Sequence, residues 1–281
     1  MKSKRILVLG HRGQIGHFLE KHFTELNFEV RGLDLLNDPN DDLRIFENPH
    51  LIESIKWCDF VYFLAFDVGG SVYLQRNQDA YDFINNNLAI MLNVFRELER
   101  SKKPFCFAST QMSNMTGSNY GLLKLIGERI TASLKGITVK FWNVYGYETE
   151  ASKFHVISDF ISMAMSKGKI EMKTDGTECR DFLYARDCSE ALFQILRNYS
   201  HLNPLITYDI AYGKWTSIIE VAHIVAEFTG AIVVPNQSID SLQNSLRNEP
   251  NLNPISEFWS PKVDIKEGIF EIIQLMRDAK F

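Results

Sequence analysis

Strand-length segments rich in apolar residues alternate along the chain with stretches whose apolar positions recur every three or four residues. The predicted strands lie at residues 6–9, 28–33, 57–65, 105–108, 137–141 and around 170. The predicted helices lie at residues 15–26, 82–99, 120–134, 156–165, 188–197, 218–228 and 265–276. Short, wholly apolar strands are typical of a parallel sheet that is covered on both faces. The pattern therefore predicts an α/β fold built on a parallel sheet.

Polar residues at the helix starts predict how two of these helices begin. Asp187 precedes the helix at 188–197 and is expected to cap it. Ser217 and Glu220 have the spacing of a capping box for the helix that follows. Residues 236–254 are rich in Asn, Ser and Pro and predict a long loop.

Three glycines, Gly10, Gly13 and Gly16, separate the first strand from the first helix. Such glycines allow a pyrophosphate to approach the backbone at a helix N-terminus. The second strand ends at Asp34, where a carboxylate can accept hydrogen bonds from ribose hydroxyls. A glycine triplet alone is weak evidence, but the order of strand, triplet, helix, strand and acid predicts a dinucleotide site.

Tyr120 and Lys124 are four residues apart in an apolar run without proline, so they share one helix face. Lowering a tyrosine pKa from about 10 to neutrality requires roughly 4 kcal/mol. An ammonium about 4 Å away contributes about 4 kcal/mol at an effective dielectric constant near 20. The spacing therefore suggests proton transfer by Tyr120 with help from Lys124. By chance alone, the tyrosine would simply pack and the lysine would cover apolar surface.

Composition narrows the class of protein. The chain has 281 residues and a net charge of -5 with both signs interspersed, which argues against nucleic acid or an anionic membrane as the main partner. Four cysteines, Cys58, Cys106, Cys179 and Cys188, show no C-x-x-C spacing, so we expect reduced thiols and no metal site. The first apolar run is too short for a signal peptide or a membrane span. We therefore expect a cytoplasmic protein.

The G-x-x-G-x-x-G spacing and the Tyr-x-x-x-Lys pair together resemble the extended short-chain dehydrogenase/reductase family, the NAD-dependent nucleotide-sugar epimerases and dehydratases. The resemblance implies a Rossmann-type, doubly wound parallel sheet with a smaller C-terminal substrate domain. Residues 1–145 and 182–211 would form the NAD-binding domain, and residues 146–181 and 212–281 the nucleotide-sugar domain. Family members usually form homodimers through two long helices, here those predicted at 82–99 and 120–134.

The resemblance also implies a cofactor site along the ends of the first strands. Its residues would be Gly10, Arg12, Gly13, Gln14, Ile15, Gly16, Asp34, Asp42, Leu43, Leu64, Ala65, Tyr120 and Lys124. Asp42 could instead belong to a solvated acidic loop. Asp34 would repel a 2'-phosphate, which favours NAD, whereas Arg12 and Arg31 leave NADP possible.

The substrate implied by the resemblance is a nucleotide-diphosphate sugar. Thr110 would bind the reacting sugar oxygen, with Ser109 as the alternative, and further contacts would come from Gly70, Asn143, Arg180 and Arg247. Arg180 lies in an Arg-Asp-Phe-x-Tyr segment that resembles a family motif, and an arginine fork suits a diphosphate. A surface salt bridge is the alternative role for Arg180.

The residues after Thr110 bear on the reaction. The 4,6-dehydratases of the family carry Asp-Glu there, and this chain has Gln111 and Met112, so dehydration is disfavoured. Gly10-His-Arg-Gly13 also resembles the GDP-fucose synthase branch, whose acidic cysteine is replaced here by Gln111, so epimerisation at C3 and C5 is disfavoured. We expect hydride transfer at the sugar C4 by a 4-epimerase. The alternatives are an NAD(P)H-dependent 4-ketoreductase and a non-catalytic NAD(P)-sensing protein.

Overall fold

The computed structural model describes residues 4–115, 117–148, 150–238 and 249–278. Its strands are β1 (Arg5–Leu9), β2 (Glu29–Leu33), β3 (Phe60–Phe63), β4 (Phe105–Thr110), β5 (Ile137–Phe141), β6 (Asn143–Tyr145), β7 (Lys169–Glu171), β8 (Cys179–Tyr184), β9 (Thr207–Ile210), β10 (Trp215–Ser217) and β11 (Ile232–Val234). Its helices are α1 (Gln14–Glu25), α2 (Pro49–Trp57), α3 (Ser71–Asn77), α4 (Tyr81–Ser101), α5 (Asn119–Ser133), α6 (Val156–Lys167), α7 (Ala185–Asn198), α8 (Ile218–Thr229), α9 (Asn253–Ser256) and α10 (Ile265–Asp278).

A six-stranded parallel sheet forms the centre of the molecule, in the order β2-β1-β3-β4-β5-β9. Strand β1 is buried on both faces: Ile6 and Val8 pack with α1 and α7, and Leu7 and Leu9 pack with α2, α4 and α5. This two-sided burial explains why the strand is wholly apolar. The predicted α/β fold with a doubly wound, Rossmann-type sheet is confirmed.

A second hydrophobic core lies beyond this sheet. It joins α6, α8 and α10 to two small sheets, of order β10-β8-β6 and β11-β7. Strand β6 follows β5 directly and pairs with β8 in parallel, with Asn143 opposite Phe182 and Tyr145 opposite Tyr184. Along the chain, the second core therefore begins directly after β5 of the central sheet.

Several element boundaries differ from the sequence-based prediction, most clearly around the third strand and the predicted loop. The strand predicted at 57–65 begins only at Phe60, because α2 continues to Trp57. Helix α2 starts at Pro49, and the Asn48 side chain accepts hydrogen bonds from the backbone N–H groups of His50 and Leu51. Of the predicted loop at 236–254, residues 239–248 lie outside the described residues, and the remainder includes α9.

The two predicted caps had opposite outcomes. The Ser217 hydroxyl accepts a hydrogen bond from the Glu220 N–H at 3.3 Å, which confirms it as the cap of α8. The prediction for Asp187 is wrong, because α7 begins two residues earlier and Asp187 lies in its first turn. The Asp187 carboxylate instead accepts hydrogen bonds from the N–H groups of Lys262 and Val263, each at 2.7 Å. Its role is tertiary: it fastens the segment before α10 to α7.

Within the described ranges, helices with the length and apolar character needed to cross a bilayer are not found.

Candidate active site

A cleft of about 1580 Å³ runs along the carboxyl ends of the central strands and continues against the second core. Ligands of open α/β sheets bind at this edge, and the volume suits an extended ligand or two ligands side by side. All the predicted cofactor residues line it: Gly10, Arg12, Gly13, Gln14, Ile15, Gly16, Asp34, Asp42, Leu43, Leu64, Ala65, Tyr120 and Lys124. The structure therefore gathers into one cleft residues that are spread over more than a hundred positions.

The glycine loop joins β1 to α1 at one end of this cleft. Gly10 has φ +85°, and a Cβ there would lie 2.8 Å from the backbone of Ala65, so a side chain is excluded on both counts. Gly13 precedes the first residue of α1, and no side chain caps that helix. The free N–H groups of a helix N-terminus attract anions such as a pyrophosphate.

Asp34, at the end of β2, faces the same region. Its carboxylate accepts hydrogen bonds from the N–H groups of Arg12 and Leu36, both at 3.0 Å. Arg12 reaches the Asn37 side chain at 2.9 Å and lines the cleft. Arg31 points elsewhere, because its guanidinium lies 4.5 Å from the centre of the Trp57 ring. Of the two arginines considered for a 2'-phosphate, only Arg12 lies in the cleft.

Asp42 and Leu43 form the wall beside Asp34. The Asp42 carboxylate is bound by the Arg44 guanidinium at 2.7 and 2.8 Å, and this pairing holds the pKa of Asp42 below its usual value. Leu43 is buried against the core. Both residues also line the cleft, so Asp42 is a structured part of its wall rather than a member of a freely solvated loop.

Tyr120 and Thr110 meet in the middle of the cleft. Thr110 is the last residue of β4, and its hydroxyl accepts a hydrogen bond from the Met112 N–H at 3.3 Å. Tyr120 lies in the first turn of α5, with its ring edge-on to Phe66 at 5.7 Å between centroids. Burial raises the pKa of Tyr120 to about 12, and hydrogen bonding with the Thr110 side chain opposes that rise.

Lys124 lies one turn further along α5 and is only 3% exposed. Its Nζ donates a hydrogen bond to the Ala108 carbonyl at 2.7 Å and lies 3.9 Å from the centre of the Phe66 ring. Burial lowers the pKa of Lys124 to about 7, and the negative charge of Glu128 opposes this fall.

The expectation that Lys124 by itself brings the pKa of Tyr120 towards neutrality is wrong for the protein alone. Burial disfavours the charged form of both groups, so the phenol pKa rises while the ammonium pKa falls. The sequence-based reasoning supplied the attraction between the two charges but left out the cost of removing them from water. Tyr120 and Lys124 both line the cleft, and burial there favours the neutral form of each.

Four of the five predicted substrate residues can be located in the structure. Gly70, Thr110, Asn143 and Arg180 all line the cleft. A side chain at Gly70 would collide with the carbonyl oxygen of Phe154, so the loop after β3 and the second core approach each other closely there. The Asn143 Nδ2 is buried and has no hydrogen-bond partner in the described part of the chain. Arg247 lies outside the described residues.

Sequence reasoning missed two buried or paired acids on the substrate side of the cleft. The His155 ring Nδ1 lies 2.7 Å from one carboxylate oxygen of Glu148. The backbone N–H of His155 donates a hydrogen bond to the other oxygen at 3.0 Å. The Glu178 carboxylate accepts a hydrogen bond from the Thr174 hydroxyl at 2.6 Å, and its second oxygen has no partner among the described residues. Neither acid belongs to a spaced motif, so no sequence signal marked them.

Two curated proteins illustrate which sequences this chain is similar to. GDP-L-fucose synthase from Sinorhizobium fredii is 27% identical over 96% of this chain and 94% of its own length. A putative UDP-glucose 4-epimerase from Methanocaldococcus jannaschii is 28% identical over 57% of this chain and 54% of its own length.

Solved structures share the fold over nearly the whole chain. An epimerase from Methanothermobacter thermautotrophicus has a TM-score of 0.86 at 19% identity, covering 99% of this chain and 93% of its own. A GDP-mannoheptose C4 reductase from Campylobacter jejuni with NADP bound has a TM-score of 0.80 at 18% identity, covering 99% of each chain. The family model described as "NAD dependent epimerase/dehydratase family" matches residues 6–211. Because this match covers most of the chain, the protein belongs to the NAD dependent epimerase/dehydratase family of enzymes.

Proposed function

We propose that this protein is an NAD-dependent 4-epimerase that acts on a nucleotide-diphosphate sugar. The observation that carries the proposal is the placement of the Tyr120 phenol and the Lys124 ammonium in one cleft with Thr110 and the glycine loop. Tyr120 accepts the proton of the C4 hydroxyl, and Thr110 hydrogen-bonds the same oxygen. Loss of the C4 hydride to the oxidised cofactor would leave a 4-ketone. Return of the hydride to the opposite face of that ketone, with Tyr120 giving the proton back to the oxygen, would invert C4.

A bound dinucleotide would supply the hydride acceptor and, in its oxidised form, a positive charge. The N–H groups at the start of α1 would hold its pyrophosphate, and Asp34 would accept hydrogen bonds from its adenosine ribose. Asp34 would repel a 2'-phosphate, and Arg31 is bound at Trp57, so NAD is favoured over NADP. A retained, recycled NAD suits an epimerase, which needs no net oxidant or reductant.

Arg180 is the proposed ligand of the substrate diphosphate. Arg180 lies in β8 and lines the cleft on the side of the second core. Its guanidinium also donates a hydrogen bond to the Cys179 carbonyl at 2.7 Å. The Asn143 Nδ2, which has no hydrogen-bond partner among the described residues, is the proposed second donor on that side. Arg247 remains a proposed further phosphate contact.

The side chains after β4 favour C4 chemistry over the other reactions of the family. Gln111 and Met112 line the cleft directly beyond Thr110. Neither side chain can remove a proton from C5 or donate one to a leaving hydroxyl near neutral pH. Dehydration, and epimerisation at C3 and C5 through these positions, are therefore disfavoured.

A 4-ketoreductase that consumes NAD(P)H is the second candidate. It is favoured by the nearly complete coverage of the GDP-L-fucose synthase relative and by the fold shared with the GDP-mannoheptose C4 reductase. A non-catalytic NAD(P)-sensing protein is the least supported reading, because a binding module has no need of Thr110, Tyr120 and Lys124 together.

The test is turnover of UDP- and GDP-sugars, with native mass spectrometry to identify a retained dinucleotide. An epimerase converts a sugar into its C4 epimer, followed by NMR, with no net change in absorbance at 340 nm. Oxidation of one NAD(P)H for each 4-keto sugar consumed, without C4 inversion of the saturated sugars, would establish the reductase instead.

We also propose that the protein is cytoplasmic. We propose further that it forms a homodimer through α4 and α5. Leu92 on α4 and Leu122 and Ile126 on α5 are large apolar side chains exposed on the two helices. We expect Ile126→Glu to shift the sedimentation coefficient from a dimer to a monomer. Leu205→Glu, at an exposed leucine outside these helices, is the control. A wild-type protein that sediments as a monomer at micromolar concentration contradicts the dimer.

A further inference from the structure

A row of buried charges lies behind the cleft wall, on the side of Lys124 away from the glycine loop. Glu128 follows Lys124 by one helical turn on α5, so the two side chains share a face. Lys140 on β5 and Asp209 on β9 continue the row. None of Glu128, Lys140 and Asp209 lines the cleft that holds the candidate site. The signs alternate from Lys124 to Asp209.

The contacts of Glu128 are specific. Its carboxylate accepts a hydrogen bond from the Ser109 hydroxyl and lies 3.6 Å from the Lys140 Nζ. The side chains of Glu128 and Lys140 are each 10% exposed. The Asp209 carboxylate accepts a hydrogen bond from the Asn251 N–H at 2.7 Å. Glu128 is therefore fixed from two strands, β4 and β5.

Buried charges are costly, and an apolar group of similar volume would often give equal or greater stability. Stability alone is therefore a weak reason for this row. The position of the row gives a stronger reason, because two neighbouring residues of β4 bind Lys124 and Glu128 of α5. The Ala108 carbonyl accepts a hydrogen bond from Lys124, and the Ser109 hydroxyl donates one to Glu128. Thr110 follows immediately.

We propose that Glu128 is a positioning residue for the reaction: its carboxylate holds Lys124 in the ammonium form and, through Ser109, fixes the end of β4 that carries Thr110. This inference rests on the proposed function of the Tyr120 and Lys124 pair. Glu128 itself touches neither substrate nor cofactor, and it acts through Lys124 and Ser109.

The surroundings of Lys124 explain why such a carboxylate is needed. The Phe66 and Phe107 rings lie 3.9 and 5.1 Å from its Nζ, and the Tyr120 phenol is the other titratable group nearby on α5. Beyond Glu128, Lys140 on β5 and Asp209 on β9 lie opposite each other in the sheet. Among the described residues, Glu128 is the charged group that opposes the loss of the Lys124 proton. Without it, burial would favour the neutral amine.

The test is Glu128→Gln, which keeps an acceptor for the Ser109 hydroxyl and removes the negative charge. The Lys124 ammonium titration is followed by NMR of lysine labelled with carbon-13 at Cε, with Lys124→Met to assign the signal. We expect the midpoint to fall by about one pH unit, the effect of a unit charge one helical turn away in a partly polar surrounding. An unchanged midpoint overturns the proposal.

Turnover gives a second readout, which a merely structural role would not move. We expect kcat at pH 7 to fall roughly fivefold, with KM little changed and the alkaline limb of the kcat profile moved by about one unit to lower pH. Should wild-type protein turn over no nucleotide sugar, the proposed function fails, while the NMR titration still decides the role of Glu128.

Two further variants guard against loss of folding. Glu128→Gln/Lys140→Met removes both members of the buried pair, and we expect it to fold and to show the same lowered Lys124 midpoint. Glu97→Gln removes another buried carboxylate, one paired with Arg100 at 2.9 Å on α4. It should leave the Lys124 titration and kcat unchanged; a matching shift there would mean that the effect is not specific to Glu128 and would overturn the proposal.

Discussion

The two sides of the cleft are built in different ways. On the cofactor side, the glycine loop, Asp34 and Ala65 come just after three strands of one parallel sheet, and Thr110 is the last residue of a fourth strand. On the substrate side, Gly70, Asn143, the Glu148 and His155 pair, Glu178 and Arg180 come from separate segments that meet only because the second core packs against the first.

This difference suggests that the cofactor side governs the chemical step and that the substrate side governs which nucleotide sugar binds. Adjacent strands of a parallel sheet have a fixed spacing and register, so the cofactor side has few ways to vary. The substrate side depends on loops and on packing between two cores, which can change without moving Tyr120 or Lys124. We therefore expect variants on the two sides to affect different kinetic constants.

Tyr120→Phe removes the proposed base, which lies where the two sides of the cleft meet. It has the largest expected effect. We expect kcat to fall by roughly a thousandfold, because no other group can take the hydroxyl proton, while dinucleotide binding persists. Single-turnover formation of NADH measures the first value and native mass spectrometry the second. Tyr199→Phe, outside the cleft, is the control. Unchanged biological activity together with unchanged dinucleotide binding in Tyr120→Phe would favour the non-catalytic, NAD(P)-sensing role.

Arg180→Met tests the substrate side alone. Loss of a charged donor to the diphosphate should raise KM for the nucleotide sugar by about a hundredfold and leave the dissociation constant of NAD unchanged. Arg186→Met removes an exposed arginine that pairs with Glu267 and Glu271, and it should change neither constant. If Arg180→Met weakens NAD binding as much as substrate binding, the two sides are not independent.

Asp34→Asn tests the cofactor side alone. Removing the negative charge should improve the preference for NADP over NAD by about tenfold, because a carboxylate repels a 2'-phosphate at close range. The KM for the sugar nucleotide should not change. Asp42→Asn is the matched comparison, and we expect a smaller shift because Arg44 already neutralises Asp42. An equal shift in both variants would remove Asp34 from its assigned role.

Lys124→Met tests the buried charge on the cofactor side by its effect on folding stability rather than on rate. The pKa of Lys124 is lowered in the folded protein to about 7 from 10.5, so between these values the unfolded chain binds a proton that the folded chain does not. Folding stability from this group therefore rises with pH across that window and is constant below it. Relative to Lys124→Met, the wild type should gain about 1 kcal/mol between pH 7 and 8.5, measured by urea unfolding at equal cofactor content.

A flat difference between the two proteins across that range would show that Lys124 keeps its ordinary pKa in the fold. It would also remove the reason for a neighbouring carboxylate at Glu128.

The sequence by itself determined the features that depend on near neighbours in the chain. Apolar strands, amphipathic helices and the glycine loop predicted the parallel sheet and a dinucleotide site at its first strands. A strand that is buried on both faces, and a turn that excludes side chains, leave few choices of residue. The capping role of Ser217 was predictable for the same reason.

Only the tertiary structure decided the features that depend on burial and on distant partners. It placed Arg31 on Trp57, Asp187 against Lys262 and Val263, and Glu148 against His155. It also reversed the expected shift of the Tyr120 pKa, because the cost of burying a charge depends on the atoms around it rather than on its spacing along a helix. Those surroundings come from strands and loops that are remote in the chain.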